Sequence, residues 1–250
     1  MSAGHSPLDQ FKVEPLVRMP EFFGIDASIT NSALFMILAV VAITLLFAYA
    51  LRKRATVPSR SQSFAEITYQ FVETVVVENG GHDGKKYFPF FLTLFLFIAF
   101  MNLLGLLPHS FTPTSHIIVT FGMGAFVFLG ITLLAFIKKG PIGFFKHFIP
   151  EGLPIAVIPV IFVIEIISYL ARPISLSLRL AANMIAGHTL LKVIAGFVLP
   201  LGLLGVVPGL LPLGFLVVLY GIEFFVCILQ AYVFTLLCSI YLGEALADHH

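Results

Sequence analysis

Apolar runs of about 18 residues or more recur along this chain, and each is long enough to cross a lipid bilayer. Backbone N–H and C=O groups in lipid must be paired within their own segment, so such runs fold as helices rather than as open sheet. Only 11% of the 250 residues are charged, against about 25% in a soluble domain. The sequence therefore predicts an all-α polytopic membrane protein, with about five membrane-embedded helices and one interfacial amphipathic helix.

The basic residues concentrate in short loops rather than on one broad surface. Clusters at 52–54, 85–86 and 138–139 each follow or precede an apolar run, and the formal net charge is only +1. Nucleic-acid binding is excluded because no large basic surface is available. By the positive-inside rule one topology puts all three clusters in the cytoplasm, which predicts an outer N-terminus and a cytoplasmic C-terminus.

The chain reads as one membrane domain, 1–250, without a soluble domain. Phe64, Ile67, Phe71 and Val75 recur at helical spacing in a segment too polar to span, which predicts a helix lying along the inner interface. The predicted segments are an outer N-terminal arm (1–30), a first span (33–51), the interfacial helix (63–79), a hairpin of spans (88–107 and 117–137) and two long helices (155–198 and 215–246).

The run from 155 to 198 is too long for an upright helix. At about 1.5 Å per residue it would measure roughly 65 Å, against a hydrocarbon core of about 30 Å. Pro173 offers a break, because it lacks a backbone donor, and a strong tilt explains the length equally well. Both explanations stay open, and a Pro/Gly-rich bend at 200–214 is expected to lead into the last helix.

A polar stripe runs along this first long helix. Glu165, Arg172 and Arg179 follow one another at intervals of seven residues, which keeps them within roughly 40° of one another, and Asn183 lies one turn beyond. Burying an arginine at mid-bilayer costs about 2.5 to 3.5 kcal/mol, and no arginine is needed to pack a helix. Arg179 is therefore the principal functional candidate.

Several polar residues have a structural interpretation beside the functional one. Glu165 could neutralise Arg172 or Arg179 by pairing with it, and the long side chains of Arg172 and Lys192 could reach an interface. Ser168 and Asn102 could make packing contacts between helices, as polar residues commonly do in membranes. Arg172, Lys192, Ser168 and Asn102 are therefore secondary candidates.

The last long helix carries a second polar pair. Glu223 and Gln230 lie seven residues apart on one face, and an antiparallel hairpin would bring His188 near Glu223. A histidine beside a carboxylate in contact with water suits proton relay. Cys227 and Cys238 fit neither a metal site nor a disulfide framework, and no metal or cofactor motif is expected.

At "SLSLRLAANMIAGH" (175–188) and "EFFVCILQAYVFTLLCSIYL" (223–242) the chain resembles the subunit a family of rotary F-type ATP synthases. The resemblance covers nearly the whole chain. It implies a proton-conducting stator subunit with two offset aqueous half-channels, without a cofactor or nucleotide site of its own. The implied partners are the c-subunit rotor ring, a peripheral stalk of subunit b or b/b′, the bilayer, protons and, indirectly, the F1 head.

The resemblance also implies roles for individual residues. Arg179 would meet the ring carboxylate, with Asn183 beside it and Gln230 facing it from the last helix. His188 and Glu223 would line the outer half-channel, and Glu165 would lie near the inner one.

The order of the histidine and the acid indicates a branch of this family. Many bacterial members have an acid at the position of His188 and a histidine at that of Glu223, whereas here the two are exchanged. The exchange resembles the alphaproteobacterial and mitochondrial branch, which implies a bacterial cell inner membrane, or the mitochondrial inner membrane for an organellar protein.

Two other classes of membrane protein lack the sequence features that they would require. A stand-alone proton-coupled secondary transporter or channel would show paired repeats with broken helices, and the sequence shows none. An intramembrane enzyme would need a nucleophile or metal motif such as GxSxG or HExxH, and neither occurs.

Overall fold

The computed structural model describes residues 13, 15–17, 28–52, 58–107, 110–146, 157–203 and 205–247. Their order is β1 (Pro15–Val17), β2 (Ile29–Thr30), α1 (Asn31–Ala50), α2 (Arg60–Gly84), α3 (Phe88–Gly105), α4 (Ile117–Lys146), α5 (Ile158–Leu203) and α6 (Val206–Leu246). The all-α polytopic class is confirmed. The antiparallel pair of β1 and β2 lies in the predicted arm and was not expected; the rest of that arm lies outside the described residues.

Five helical segments are long and apolar enough to cross a membrane, within the described part of the chain. They are Asn31–Ala50, Lys85–Gly105, Ile117–Lys146, Ile158–Leu203 and Pro208–Leu246. Their number agrees with the predicted five. The span predicted at 117–137 ends close to that bound, because the backbone of α4 is non-helical at Gly140, where φ is 68°, and a short further helical segment then leads to Lys146.

The helix α2 does not qualify as a span, as expected for the interfacial helix. Its backbone is non-helical at Gly81, where φ is 68°, so its uninterrupted part covers 60–80, close to the predicted 63–79. Phe64, Ile67 and Phe71 of the predicted apolar stripe are exposed, whereas its fourth member, Val75, is buried together with Ala65, Val72 and Val76. The helix α2 is thus apolar on two sides, and one of them packs against α3 and α6.

The long helix α5 is continuous through Pro173. Forty-six residues at about 1.5 Å each give roughly 69 Å, so α5 cannot stand upright in a core of about 30 Å. The structure thereby excludes the break at Pro173 and leaves the tilt as the explanation of the length.

The bend between the long helices is shorter than the predicted 200–214. The helix α5 ends at Leu203 and α6 begins at Val206, nine residues before the predicted start at 215. Pro208 is compatible with this start, because the N–H groups of a first helical turn have no intrahelical acceptor in any case. Gly205 makes the bend with a φ of 143°, which a side chain strongly disfavours.

The core is built around α3, the most buried of the five spans. Phe91, Ile98 and Met101 are almost wholly inaccessible, and α6 adds Phe234 and Leu242 to the same core. The outer faces of α1, α4, α5 and α6 are by contrast rich in exposed apolar side chains. This distribution is that of a protein surrounded by lipid, where apolar surface stays outside as well as inside.

The positive φ of Gly205 in the bend allows a test of what stabilises the α5–α6 hairpin. Gly205→Ala introduces a Cβ at a left-handed φ and is expected to destabilise the α5–α6 hairpin by about 1 to 3 kcal/mol. The thermal midpoint of the purified complex measures the effect. Gly196→Ala is the matched control, because this helical glycine has no neighbour within 4 Å of an added Cβ. Equal midpoints for the two variants would contradict the assignment of strain to Gly205.

Candidate functional site

Arg179 is exposed on the free face of α5. It makes no hydrogen bond or ion pair with any residue that the structure describes. On the same face of the helix the exposed residues Ser168, Ala171, Ser175, Ala182 and Ala186 carry small side chains, whereas the exposed Ile174 and Leu178 lie to one side of it. Small side chains let another helix backbone approach closely in a membrane, so this face can receive a second helix beside an uncompensated positive charge.

Arg172 lies on the same stripe but, unlike Arg179, is paired with an acid and packed against aromatic rings. Its guanidinium forms an ion pair with the Glu244 carboxylate near the end of α6. Its Cζ atom lies 4.8 Å from the ring centroid of Tyr241 and 5.5 Å from that of Tyr169. Arg172 is thus held by a carboxylate and two rings, and the suggestion that its side chain reaches an interface stays a prediction.

Glu165 pairs with neither arginine. It is half-buried on α5, and no ion pair joins it to another residue in the described ranges. The suggested neutralisation of Arg172 by Glu165 is wrong, because Glu244 from the neighbouring helix takes that place. Ser168, three residues further, is exposed on the Arg179 face and has no hydrogen-bond partner within the described part of α5 or its neighbours.

Close approaches fix how α5 and α6 lie side by side. A Cβ on Gly187 would overlap the Glu223 carboxylate, and a Cβ on Gly209 would lie 2.8 Å from Gly202 Cα. Followed along the antiparallel pair, this register places Gln230 level with Leu180, beside Arg179. The structure therefore brings Gln230 and the arginine to the same height of the hairpin.

Four buried polar atoms along this hairpin lack a hydrogen-bond partner among the described residues. They are Asn183 Nδ2, Thr189 Oγ1, Glu223 Oε1 and Gln230 Nε2. Buried polar atoms are normally paired with protein or water, so such a cluster calls for a particular explanation. Asn183, Glu223 and Gln230 were predicted from the sequence as site residues, whereas Thr189 was not.

His188 is buried, and its Nε2 atom lies 3.2 Å from Thr112 Oγ1 in the loop between α3 and α4. The direct pairing with Glu223 that the sequence suggested is absent, since no hydrogen bond joins the two side chains as described. The Glu223 carboxylate instead contacts Gly187, the preceding residue. Lys192 is exposed on α5, one turn beyond His188.

Asn102 is wholly buried and connects three segments. Its Nδ2 donates to the Cys227 backbone oxygen at 3.2 Å, and its Oδ1 accepts from Thr114 Oγ1 at 2.7 Å. These contacts join α3, the loop after it and α6, which accounts for Asn102 by packing. Thr112, Thr114 and Glu244 were missed from the sequence, because their partners lie 76, 12 and 72 residues away and no periodic pattern links them.

The same part of the chain offers no metal centre. No group of three or more His, Cys, Asp or Glu side chains lies close enough to hold an ion in the described ranges. Cys227 and Cys238 are buried free thiols.

Comparison of the sequence with known proteins shows the family to which the chain belongs. A family model described as ATP synthase A chain matches residues 33–243. The chain belongs to this family.

Named relatives agree with the match over nearly the full length. ATP synthase subunit a of Parvibaculum lavamentivorans is 50% identical over 98% of this chain and 94% of its own. The subunits of the same name from Pelagibacter ubique and Rhodospirillum rubrum are each 46% identical over 98% of this chain and 99% and 100% of theirs.

Family membership confirms the resemblance read from the two motifs, including its alphaproteobacterial side. The chain is thus a multi-pass subunit of an ATP synthase and not an enzyme on its own. Membership does not assign roles to single residues, which rest on the geometry.

The contact between Gly187 and Glu223 yields a prediction. Gly187→Ala places a methyl group where the Glu223 carboxylate lies, so the carboxylate must move, and ATP-driven proton pumping by the assembled complex is expected to fall about tenfold or more. Shortening the acid in Gly187→Ala/Glu223→Asp relieves the overlap and is expected to restore part of the pumping.

The control for this experiment is Gly221→Ala, since an added Cβ there has no neighbour within 4 Å. Normal pumping by Gly187→Ala, at equal amounts of complex, would show that the position of the carboxylate does not matter.

Proposed function

We propose that this chain is the proton-conducting stator subunit of an F-type ATP synthase, with Arg179 as the gate that meets the carboxylates of a c-subunit rotor ring. The observation that carries the proposal is the exposed and unpaired Arg179 on a face of small residues. A guanidinium in an apolar setting requires a counter-charge, and a passing ring carboxylate supplies one. The small neighbours allow the ring helix to come close enough for that contact.

The proposed mechanism follows from this charge. A protonated carboxylate on the ring is neutral and enters lipid at low cost, whereas the ionised form does not. Near Arg179 the ionised form is favoured, so the carboxylate gives up its proton to water on the inner side. The permanent positive charge also blocks protons from passing directly between the two half-channels.

The outer half-channel is assigned to the end of the hairpin nearest the loop between α3 and α4. Glu223, His188 and Thr112 lie there, and the contact of His188 with this loop supports the assignment. His188 is nine residues from Arg179, or roughly 14 Å along α5. The unpaired atoms of Glu223, Asn183 and Gln230 are suited to a proton path leading towards the arginine.

The inner half-channel is assigned to the opposite side of Arg179. Glu165 lies fourteen residues before the arginine, roughly 21 Å along α5, and its half-buried carboxylate makes no ion pair with the residues described. The two polar regions are thus separated along α5 with the arginine between them. This offset is what a rotary path requires, since a proton then reaches the second region only on the ring.

The orientation is supported by contacts on one side of the molecule. Lys138 Nζ lies 3.1 Å from an Asp83 carboxylate oxygen, and Lys139 Nζ donates to the Glu244 backbone oxygen at 2.8 Å. The basic turns and the end of α6 therefore share a side. By the positive-inside rule this side is cytoplasmic, which puts the C-terminus inside and the N-terminus outside a bacterial inner membrane.

The further partners follow from the same proposal. The bilayer surrounds the exposed apolar faces, a peripheral stalk of subunit b or b/b′ holds the chain against rotation, and the F1 head is coupled through stalk and ring. A stand-alone transporter would need the bilayer but neither the stalk nor the F1 head.

The test is substitution of the arginine. Arg179→Ala and Arg179→Lys are expected to reduce ATP-driven proton pumping to background in reconstituted complexes that remain assembled, because neither side chain offers the bidentate, permanently charged guanidinium. Passive proton flux under an imposed potential, measured without ATP, reports whether the residual path has lost its coupling to rotation.

Arg60→Ala is the control, since Arg60 is an exposed arginine at the start of α2, away from α5. It should pump as the parent does. Coupled pumping by Arg179→Ala would refute the gate and leave Arg179 as a costly packing residue.

A further inference from the structure

Two arginines lie on one stripe of α5, and a ring carboxylate needs only one of them. Arg172 and Arg179 are seven residues apart, roughly 10 Å along the helix, and about 20° apart around it. Both guanidinium groups are permanently charged. A carboxylate that moves along this face could therefore bind at either position unless one charge is already compensated.

In the described part of the structure the charge of only one of these two arginines is neutralised by an acid. The Arg172 guanidinium is paired with the Glu244 carboxylate and lies over the rings of Tyr169 and Tyr241, whereas Arg179 is exposed and has no counter-ion among the residues described. We propose that Glu244 is a dedicated counter-ion, which neutralises Arg172 so that Arg179 is the cation left to bind rotor carboxylates. The inference rests on the proposed function of Arg179.

The position of Glu244 is fixed independently of its charge. Lys139 on α4 donates to the Glu244 backbone oxygen at 2.8 Å, and Ala247 N donates to Gly243 O at 2.8 Å at the end of α6. The end of α6 is therefore held by backbone contacts when the carboxylate is neutralised. Glu244→Gln changes the charge at this site while it preserves the shape and those contacts.

Arg172 and Glu244 are also exposed enough for Arg172 to compete with Arg179 for a rotor carboxylate. The side chain of Arg172 keeps 21% of its surface exposed and that of Glu244 keeps 40%. Without its acid, Arg172 retains the two rings but has hydrogen-bond donors to offer to another carboxylate. Since a bond to a charged group is worth about 1.5 to 3 kcal/mol, binding of a rotor carboxylate at the wrong arginine becomes competitive.

The ion pair has a second explanation, a mechanical one. It joins α5 to α6, and Tyr169 continues the connection to α4 through a 2.7 Å hydrogen bond with Thr132. A mechanical clamp and a counter-ion predict different results for the three variants that remove one or both charges. In a clamp each charge is needed, whereas a counter-ion is needed only while Arg172 is present.

The experiment measures ATP-driven proton pumping per assembled complex in reconstituted vesicles for Glu244→Gln, Arg172→Gln and the double variant. Glu244→Gln is expected to pump about tenfold more slowly, the factor that corresponds to roughly 1.4 kcal/mol. Arg172→Gln and Arg172→Gln/Glu244→Gln are expected to stay within about twofold of the parent. Rescue by the second substitution is a result that loss of a clamp cannot produce.

Asp83→Asn is the matched control, because it removes an exposed acid that pairs with Lys138 on the same side of the molecule. It should pump as the parent does. A double variant as slow as Glu244→Gln, or an Arg172→Gln variant equally slow, would overturn the proposal in favour of a clamp. Normal pumping by Glu244→Gln would overturn it as well.

Assembly is a further readout. If Glu244→Gln fails to assemble while the double variant assembles, the uncompensated charge is the cause and the proposal holds; if neither assembles, the clamp explains the pair. Arg179→Gln is measured in parallel, since normal pumping by that variant refutes the proposed gate itself, whereas its loss with an unaffected Glu244→Gln refutes only the counter-ion.

Discussion

An unpaired guanidinium on an apolar helix is the constraint around which the α5–α6 hairpin is organised. Arg179 can neither lose its proton nor reach a counter-ion among the described residues of its own chain. Its cost is acceptable only where a partner brings a negative charge, so the surface around it has to remain open. The small exposed residues Ser168, Ala171, Ser175, Ala182 and Ala186 keep it open.

The other polar groups of the hairpin follow from the need to deliver protons to that partner. Glu223 lies against Gly187, and its Oε1 atom is buried without a hydrogen-bond partner among the residues described. Only a glycine at 187 leaves room for the carboxylate, which explains how an acid lies between two closely packed helices. His188 faces Thr112 instead, so the histidine and the acid occupy adjacent places without forming a direct pair.

The sequence predicted the parts of this arrangement that depend on periodicity within one helix. The seven-residue spacing of Glu165, Arg172 and Arg179 needs only the helical repeat, and the positive-inside pattern needs only loop charges. The number of spans and the paired last helices followed in the same way. The family itself came from the two motifs rather than from physical reasoning.

Contacts between distant segments could not be read from the sequence. The partner of Arg172 is 72 residues away on α6, and the nearest acid on its own stripe, Glu165, was the natural but wrong choice. Likewise, the apolar stripe of α2 was visible in the spacing, whereas the inward face of Val72 and Val76 is set by the way α2 packs on α3 and α6. The start of α6 was missed because prolines disfavour a helix interior, whereas Pro208 lies in the tolerant first turn and the helix accommodates Pro212 further inside.

The continuity of α5 through Pro173 explains why a second arginine needs attention at all. Pro173 follows Arg172 directly, and a kink there would have turned Arg172 away from the face that carries Arg179. Because the helix is unbroken, the backbone positions of the two arginines stay in phase on one side of α5. Phase alone cannot distinguish them for an approaching carboxylate. The distinction comes from α6, whose last turn supplies Glu244 and Tyr241 to Arg172, whereas at the level of Arg179 it supplies the uncharged Gln230.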